Sequence, residues 1–414
     1  MMPAAPKLRF PEFKDPWRPG HAGDAFTNSR AKGEAGLPIY SVTIDRGLVR
    51  RDSLDRHMAA DAADGQNLRA QRGDVVYNMM RMWQGAVGLA PEECMVSPAY
   101  VVLSPKKDTS PQFFDQWFKT KRMLYLLGAY SHGITSDRLR LYADDFARIP
   151  VRLPTLPEQQ KIAAFLEAVD AKLAALTEKQ AALGRFKAGL MQKLFSQQIR
   201  FARDDGTAFP DWEKKRLGDI FTWVKTNSLS REFLTEYGGG VQNIHYGDIH
   251  TKFRALFRQS TETAPFVRAD SALKAFSDEE YCRVGDVVIA DASEDYADIG
   301  KAIEIVEVHE RSLVAGLHTH IARPRIGSLV VGFSGYLLRS EPMRKQIVRI
   351  AQGISVLGIS KGNLEKLTFW LPHPDEQKKI AGTLAATDAK IQVVTDQITK
   401  LQTFKKGLLQ QMFV

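Results

Sequence analysis

One long segment of this chain occurs twice, and an internal repeat constrains the fold more than any other feature of a sequence. Residues 153–195 read LPTLPEQQKIAAFLEAVDAKLAALTEKQAALGRFKAGLMQKLF, and residues 371–413 read LPHPDEQKKIAGTLAATDAKIQVVTDQITKLQTFKKGLLQQMF. The two copies align without a gap and agree at close to half of their positions. The chain is therefore predicted to be a tandem duplication with pseudo-twofold symmetry.

Each copy of the repeat has the pattern of one long helix. A proline and acidic residues suit its first turn, and we attribute Asp375 and Glu376 to the positive end of the helix. Apolar residues then recur at spacings of four and three for about five heptads, which favours a coiled coil over two ordinary bundle helices, the alternative. The predicted seam and partner interface consists of Ile162, Leu166, Val169, Leu173, Leu176 and Leu183 in the first copy and Ile380, Leu384, Ile391, Val394, Ile398 and Leu401 in the second.

The repeat divides the chain into two domains, each followed by a long helix. The predicted domains are residues 1–150 and 199–369, and the predicted helices are residues 151–198 and 370–414. Inside the domains, residues 72–77 resemble residues 284–289, a turn that leads into a β-branched strand. Further strands are predicted at 38–43, 99–103, 241–246 and 302–306, with helical segments at 111–130 and 328–350 and a Gly-Ile loop at 133–136 and 353–356. The predicted fold class is α+β, with two mixed α/β domains separated by two helices that form an antiparallel coiled coil.

The composition limits the class of protein. The chain has 414 residues and a net charge of +9, which suits two or three domains and a polyanionic partner. Its two cysteines, Cys94 and Cys282, provide no disulfide framework. The N-terminal sequence lacks the apolar core of a signal peptide, and no apolar run is long enough to span a bilayer. We therefore expect a cytoplasmic protein with no membrane contact.

Motifs for catalysis are missing from the sequence. It contains no phosphate-binding G-x-x-x-x-G-K-[ST] loop, no G-x-G-x-x-G after a strand, no H-E-x-x-H and no paired C-x-x-C. His318 and His320 share one face of a predicted strand, with His245, His250 and Cys282 in the same domain. Because further ligands lack a recognisable spacing, stacking or hydrogen bonding is favoured over metal binding. We expect neither catalytic residues nor a metal site in this chain.

Residues suited to DNA binding occur in both domains. Arginine and lysine neutralise phosphates, and arginine, asparagine and glutamine can contact base edges in the major groove. Any single residue of this kind is more often simply solvated, but here they alternate with amides and aromatic residues. The candidates in the first domain are Arg46, Arg50, Arg51, Arg81, Trp83, Gln84, Thr135, Ser136 and Arg138, and those in the second are Lys225, Asn227, Ser228, Arg231, Gln242, His245, Tyr246, Ser355 and Lys361.

The sequence resembles the specificity subunits of type I restriction–modification systems. The resemblance is carried by the repeated L-P-x-x-x-E-Q-x-K-I-A motif at the start of each helix, by the segments 73–78, 83–86 and 97–100, and by the Gly-Ile loops. It covers nearly the whole chain. The sequence departs from the family pattern at one place. The segment between Trp17 and the Gly-Asp turn of the first domain is shorter than the segment between Trp212 and the Gly-Asp turn of the second. The counterpart of residues 225–231 is therefore hard to place in the first domain.

The resemblance implies a non-catalytic subunit that binds double-stranded DNA and reads a bipartite target, one half-site per domain. It also implies that the coiled coil sets the spacer length and docks two methyltransferase subunits, through which motor–nuclease subunits join. No cofactor is then expected in this chain, since S-adenosylmethionine, ATP and Mg belong to the partner subunits. The alternative is a coiled-coil adaptor whose globular domains bind proteins.

Overall fold

The computed structural model describes residues 5–54, 66–135, 138–238, 240–269 and 276–413. The chain forms two compact units, the first comprising residues 1–178 and 395–414 and the second residues 179–394. Each unit therefore contains one globular domain together with a part of each long helix.

The first unit is built on two four-stranded sheets. Its strands are Arg18–His21 (β1), Phe26–Ser29 (β2), Ile39–Thr43 (β3), Gly47–Arg50 (β4), Leu68–Ala70 (β5), Val75–Asn78 (β6), Val87–Leu89 (β7), Cys94–Val96 (β8), Tyr100–Pro105 (β9) and Pro150–Leu153 (β10). Its helices are Ala22–Ala25 (α1), Pro111–Trp117 (α2), Lys121–Ala129 (α3) and Ala143–Ala147 (α4), followed by the long helix Leu156–Phe195 (α5). The sheet orders are β2-β9-β6-β7 and β4-β3-β8-β5, and β1 pairs with β10 just before α5.

The second unit repeats this plan with additional strands. Its strands are Glu213–Arg216 (β11), Phe221–Val224 (β12), Leu234–Thr235 (β13), Gln242–Ile244 (β14), Leu256–Arg258 (β15), Phe266–Val267 (β16), Val287–Ala290 (β17), Ala292–Ser293 (β18), Ala302–Glu307 (β19), Leu313–Ala315 (β20), Thr319–Pro324 (β21), Leu357–Gly358 (β22) and Thr368–Leu371 (β23). Its helices are Leu217–Ile220 (α6), Tyr246–Thr251 (α7), Ser334–Arg339 (α8), Glu341–Ile350 (α9) and Lys361–Glu365 (α10), followed by Pro374–Gln411 (α11). The larger sheets are β12-β21-β17-β19-β15 and β13-β16-β14-β20, with the pairs β11-β23 and β18-β22.

The repeated Val-Val strands β6 and β17 lie at the centre of each unit. Side chains alternate between the two faces of a strand, so Val75 and Tyr77 enter one core while Val76 enters another. In the same way, Val287 and Val288 belong to different cores of the second unit. β17 is apolar along its whole length, and β6 is apolar up to the half-buried Asn78, because both faces of each strand are covered.

The long helices pack on each other in opposite directions, as the repeat predicts. In the first unit, Leu408 and Met412 near the end of α11 share a core with Ile162 and Leu166 near the start of α5. In the second unit, the end of α5 shares a core with Ile380 at the start of α11. The mixed α/β fold class with an antiparallel helix pair is confirmed.

The predicted seam residues are buried to different degrees. Seven are buried, namely Ile162, Leu166, Val169, Leu176, Ile380, Leu384 and Val394, and five are half-buried, namely Leu173, Leu183, Ile391, Ile398 and Leu401. The first turns of each helix join the core of their own unit, so part of the heptad pattern serves helix-to-domain packing.

Two equivalent ion pairs connect the long helices. Lys405 contacts Asp170 at 2.6 Å in the first unit, and Lys187 contacts Asp388 at 2.6 Å in the second. These four residues are related by the repeat, in which Lys187 corresponds to Lys405 and Asp170 to Asp388. Each carboxylate also accepts a hydrogen bond from its domain, from Gln116 Nε2 to Asp170 and from the Tyr336 hydroxyl to Asp388. The pairs thus hold both helices and one domain helix together.

The glutamate at the start of each long helix has a tertiary role, which corrects its attribution to the helix terminus alone. Glu158 is 1% exposed and accepts two hydrogen bonds from Arg9, at 2.7 and 2.8 Å, and one from the Trp17 indole at 3.2 Å. Glu376 is buried in the same way and accepts from Arg200 and Trp212. We call each set of three residues a glutamate clamp.

The amide next to each clamp glutamate also ties its helix to the domain. Gln159 Oε1 accepts from the backbone N–H of Ser110, and Gln377 Oε1 accepts from that of Val330. The repeated Glu-Gln pair of the sequence motif therefore fastens each long helix to its globular domain. Asp375, by contrast, is exposed at the helix start and bonds Lys378.

Three other sequence predictions need correction. The predicted strand 241–246 ends at Ile244, because His245 caps the helix that begins at Tyr246 by accepting from the Gly247 N–H. Each predicted late helix is two helices, α2 with α3 and α8 with α9. The breaks fall at Thr120 and Ser340, the residues that precede α3 and α9.

None of the described helices combines the length and apolar character needed to cross a membrane.

Candidate nucleic-acid interface

Each unit places two loops side by side at one end of its central strand. In the first unit, the segment after β6 meets the segment after the Gly-Ile loop, where the Leu141 N–H donates to the Met79 carbonyl at 2.9 Å. In the second, the Ile359 N–H donates to the Asp291 carbonyl at 2.9 Å. Met79 and Asp291 each follow their strand by one residue. The two loop pairs are therefore equivalent surfaces.

The Gly-Ile loops are closed at their base and project a single isoleucine. His132 and Arg140 exchange two backbone hydrogen bonds in one loop, as Gln352 and Gly358 do in the other. The isoleucines at the two tips, Ile134 and Ile354, are fully exposed.

The glycine before each isoleucine is required by the close path of the chain. A Cβ on Gly133 would collide with the Arg138 carbonyl, and one on Gly353 with the Val356 carbonyl. Gly353 also has φ of 129°, a value that side chains disfavour. A loop that is closed at its base and has an exposed apolar tip suits insertion into a partner surface.

The loop pair of the first unit forms a basic cavity. The cavity measures about 830 Å³ and is lined by Met80, Arg138 and Arg140, among others. Arg81, Trp83 and Gln84 follow Met80 directly, and the Trp83 indole donates to the Met80 carbonyl at 3.1 Å. Of the predicted residues, Thr135 and Arg138 line the cavity, whereas Arg81, Trp83 and Gln84 follow its lining residue Met80; Ser136 lies outside the described residues.

The arginines of this cavity are available for an anionic ligand. Arg138 and Arg140 line the cavity, and Arg81 follows its lining residue Met80. All three are exposed, and within the described part of the chain they form no ion pair. Guanidinium groups without an internal partner can bind phosphates or guanine edges without first breaking another bond.

The other predicted arginines of the first unit lie on a different sheet. Arg46 is in the turn of the β3–β4 hairpin, Arg50 ends β4, and the half-buried Arg51 follows it. Arg46 and Arg50 lie near carboxylates of their own hairpin, Asp45 at 3.8 Å and Asp52 at 3.4 Å. These three residues do not line the cavity of the Gly-Ile loop.

The loop pair of the second unit is rich in histidine. Asp291 contacts His318 Nδ1 at 3.3 Å and His320 Nε2 at 3.4 Å. Tyr246 packs against His245 and His318, with ring centroids 4.6 and 5.4 Å apart. Ser355 is exposed on the neighbouring loop, and Lys361 begins α10 after the Ser360 cap. The predicted His245 and Tyr246 are therefore part of a larger aromatic cluster.

Burial determines the charge of this histidine cluster. It lowers the pKa values of His245, His250 and His320, with Asp291 opposing the shift at His320. These imidazoles are therefore uncharged at neutral pH, and each offers one donor and one acceptor. Among the described residues, no three His, Cys, Asp or Glu side chains form a group that could hold a metal ion.

Three predicted residues of the second unit are engaged in internal bonds. Gln242 is buried and accepts a hydrogen bond from Gln259 Nε2 at 2.6 Å. Asn227 Nδ2 donates to Asn243 Oδ1 at 2.8 Å, and Arg231 makes two bonds to Asp248, at 3.0 and 2.6 Å. As the structure stands, these residues shape the loops, and a DNA contact from them would require those bonds to open.

The remaining predicted residues of the second unit are accessible. Lys225 is 83% exposed, 3.3 Å from Glu280, and Ser228 is exposed on the same segment. The sequence prediction missed Met80 and Asp291 at the two surfaces. The repeated Gly-Asp-Val-Val motif could have identified both, because it aligns the residues that follow β6 and β17.

Comparison with known proteins identifies the family. The family model described as the type I restriction modification DNA specificity domain matches residues 22–184 and 210–403, which is most of both repeats. The chain belongs to the type I restriction-modification DNA specificity family. It is a specificity subunit, the non-catalytic part of such a system.

Two relatives come from Methanocaldococcus jannaschii. The type I restriction enzyme MjaVIII specificity subunit is 25% identical over 274 residues, which are 64% of this chain and 61% of that protein. A protein provisionally named as the MjaX specificity subunit is 24% identical over 412 residues, 93% of this chain and 88% of its own length.

Two solved structures share the fold of this specificity subunit. One comes from work on complex assembly and conformational transition of the type I system, with 18% identity, a TM-score of 0.56 and coverage of 96% and 97% of the two chains. The other is the S subunit from M. genitalium, with 15% identity, a TM-score of 0.56 and 99% coverage of both chains.

Proposed function

We propose that this specificity subunit binds double-stranded DNA and reads a bipartite target, with one half-site for each unit. The observation that carries the proposal is the duplication of the loop-pair surface, since each unit has its own Gly-Ile loop beside the end of its central strand. Two unequal copies of one surface suit two half-sites of different sequence. The first surface carries exposed arginines that form no ion pair within the described part of the chain, and the second carries neutral imidazoles and Tyr246.

The chemistry of the two surfaces suggests different forms of readout. Arginine can form a bidentate contact with the O6 and N7 atoms of guanine. A neutral imidazole or a tyrosine hydroxyl can donate to or accept from base edges without attracting phosphates strongly. We therefore expect the first unit to contribute more of the affinity for DNA phosphates. The second unit should discriminate between bases mainly through its uncharged polar side chains.

The long helices have a separate role in this proposal. They set the length of DNA between the half-sites and dock two methyltransferase subunits, through which motor–nuclease subunits join the complex. S-adenosylmethionine, ATP and Mg then belong to those partners. The repeated ion pairs Lys405–Asp170 and Lys187–Asp388 support a helix pair with two equivalent outer faces, as two identical partners require.

Methylome sequencing tests the proposal directly. A host without adenine methylation would express this chain with its neighbouring methyltransferase, and a control host would express the methyltransferase alone. We expect a bipartite methyladenine motif only when the chain is present. An active methyltransferase in a formed complex without any new motif would contradict the proposal and favour the protein-binding adaptor.

Exchanging residues 199–369 for the corresponding domain of another specificity subunit should change one half of that motif and leave the other half intact. The reason is that each unit carries a complete loop-pair surface of its own. The methylated motif of the chimera is read by sequencing. A change in both halves would show that the units do not read DNA independently.

Replacing Arg138 with alanine should weaken binding to the target about tenfold, as expected when a charged DNA contact of roughly 1–3 kcal/mol is lost. Fluorescence anisotropy at several salt concentrations distinguishes the type of contact. A phosphate contact lowers affinity for all sequences and reduces the salt slope by about 1, whereas a base contact affects the target selectively. Lys107→Ala is the control, because Lys107 is exposed beyond the opposite end of β9. Equal effects from both variants would remove Arg138 from the interface.

A further inference from the structure

A second basic cavity in the first unit lies apart from the DNA-reading surface. It measures about 640 Å³ and is bounded by the N-terminal segment, the start of α3, the middle of α5 and the end of α11. Helix α3 begins at this cavity and ends at the Gly-Ile loop, so the nine-residue helix separates the two sites by roughly 13 Å along its axis. The cavity is therefore not part of the proposed half-site surface.

Most of the positive charge around this cavity has no ion-pair partner among the described residues. Six of its lining residues are cationic, and none of the described lining residues is a carboxylate. Lys119 and Lys405 are paired with Asp115 and Asp170. The other four, Lys7, Lys121, Arg122 and Lys406, are exposed and have no ion-pair partner among the residues that the structure describes. They come from three separate segments of the chain, so they surround the cavity, and an anionic ligand would relieve their mutual repulsion.

The interior of the cavity is apolar. Pro6, Leu173, Leu409 and Phe413 line it, and Leu173 and Leu409 are only partly covered by the adjacent core. Most of the accessible lining consists of carbon atoms. A cavity of this size with an apolar interior and charged edges suits a ligand that has both an apolar group and several negative charges.

The equivalent position in the second unit lacks this charge. The repeat places Glu341 and Pro342 where the first unit has Lys121 and Arg122, and Ala188 where it has Lys406. A surface that served two identical partners would recur in both units, as the Lys–Asp pairs do. The cavity therefore suits a partner that binds once per chain.

We propose that this cavity binds an acidic peptide segment of a protein partner, with an aliphatic or aromatic side chain inserted between Leu173, Leu409 and Phe413 and carboxylates placed on Lys7, Lys121, Arg122 and Lys406. A peptide is favoured over DNA because the DNA backbone has charge but no apolar group to fill the interior. The inference does not depend on DNA reading, and it adds a binding partner beyond the methyltransferase pair.

A defined peptide tests the inference on the full-length chain. The probe is a short fluorescein-labelled peptide in which glutamates flank a central leucine–phenylalanine pair, and the matched probe has serines in place of that pair. We expect saturable 1:1 binding of the first probe by fluorescence anisotropy at about 0.15 M salt, and binding of the serine probe about tenfold weaker or more.

Charge-reversal variants locate the site. The variant Lys121→Glu, Arg122→Glu and Lys406→Glu should lose at least about tenfold in affinity for the peptide. The control variant Lys193→Glu, Lys214→Glu and Lys390→Glu makes the same change of net charge at exposed positions of the second unit and should bind as the wild type does. All six positions are exposed, so circular dichroism should show both variants folded.

Four results with these peptides and variants would each overturn the inference, and DNA competition would be a fifth. They are no binding of the leucine–phenylalanine peptide, equal binding of the two probes, equal losses in the two variants, and two peptides bound per chain. A DNA duplex that competes for the cavity, and whose own binding falls in the cavity variant alone, would assign the surface to DNA. A failed methylome experiment would leave this result unaffected, so the two proposals are tested separately.

Discussion

Replacing Glu158 with glutamine is expected to lower the Tm of the first unit by roughly 6–20 °C. The substitution removes the carboxylate that holds Arg9 and Trp17, both largely buried, against the start of α5. Breaking a buried ion pair costs about 3–5 kcal/mol because the remaining charge has no partner, and 1 kcal/mol shifts the Tm of a unit this size by about 2–4 °C. The hydrogen bonds that Arg9 donates to Glu158 also raise the pKa of Arg9, so this guanidinium remains charged.

The equivalent substitution in the second unit, Glu376→Gln, should have a smaller effect. Arg200 retains hydrogen bonds to the carbonyls of Phe209 and Pro210, whereas no other side-chain bond of Arg9 is found in the described residues. The larger Tm loss for Glu158→Gln than for Glu376→Gln is therefore predicted from these contacts. The sequence repeat alone does not distinguish the two substitutions.

Differential scanning calorimetry on the full chain measures both variants. Glu12→Gln is the control, because Glu12 pairs with Lys161 between the same N-terminal segment and α5, but on the surface. This control should leave the Tm unchanged within error. A Glu158→Gln variant that melts with the wild type would show that the glutamate clamp contributes nothing to joining the helix and the domain.

Replacing Leu173 and Ile391 with aspartate is expected to destabilise the helix pair and to abolish assembly with the methyltransferase. The two residues are equivalent in the repeat and half-buried along the seam. A charge in this position loses the apolar contact and must be hydrated, at a cost of about 2–4 kcal/mol for each site. Each substitution alone is expected to give part of the loss, because each lies in a different unit.

The repeat supplies a matched control for this experiment. Ala171→Asp and Ala389→Asp introduce the same charge at exposed and equivalent positions of the same helices. These variants should keep the wild-type Tm and should co-purify with the methyltransferase. If the variant with aspartate at Leu173 and Ile391 assembles as the wild type does, the partner interface lies elsewhere. If only the Ala171→Asp and Ala389→Asp variants fail to assemble, the interface lies on the outer face of the helices.

The sequence alone was sufficient for the long helices and the duplication. Heptad spacing is a local signal that continues over some 40 residues, and the matching second copy indicates that the same helix was duplicated. The Gly-Ile loops and the Val-Val strands were predictable for a similar reason, because glycine and β-branched residues have strong local preferences.

The tertiary structure decided which polar residues face solvent. Gln242, Asn227 and Arg231 have the same side-chain types as DNA-binding residues, yet each bonds a residue 16 or 17 positions away. Glu158 and Glu376 are acidic residues of the kind expected in an ordinary first helical turn, but their arginine partners lie 149 and 176 residues distant in sequence. A periodic pattern reports on burial along one element, whereas a hydrogen bond between distant segments depends on how those elements pack, and no local spacing encodes it.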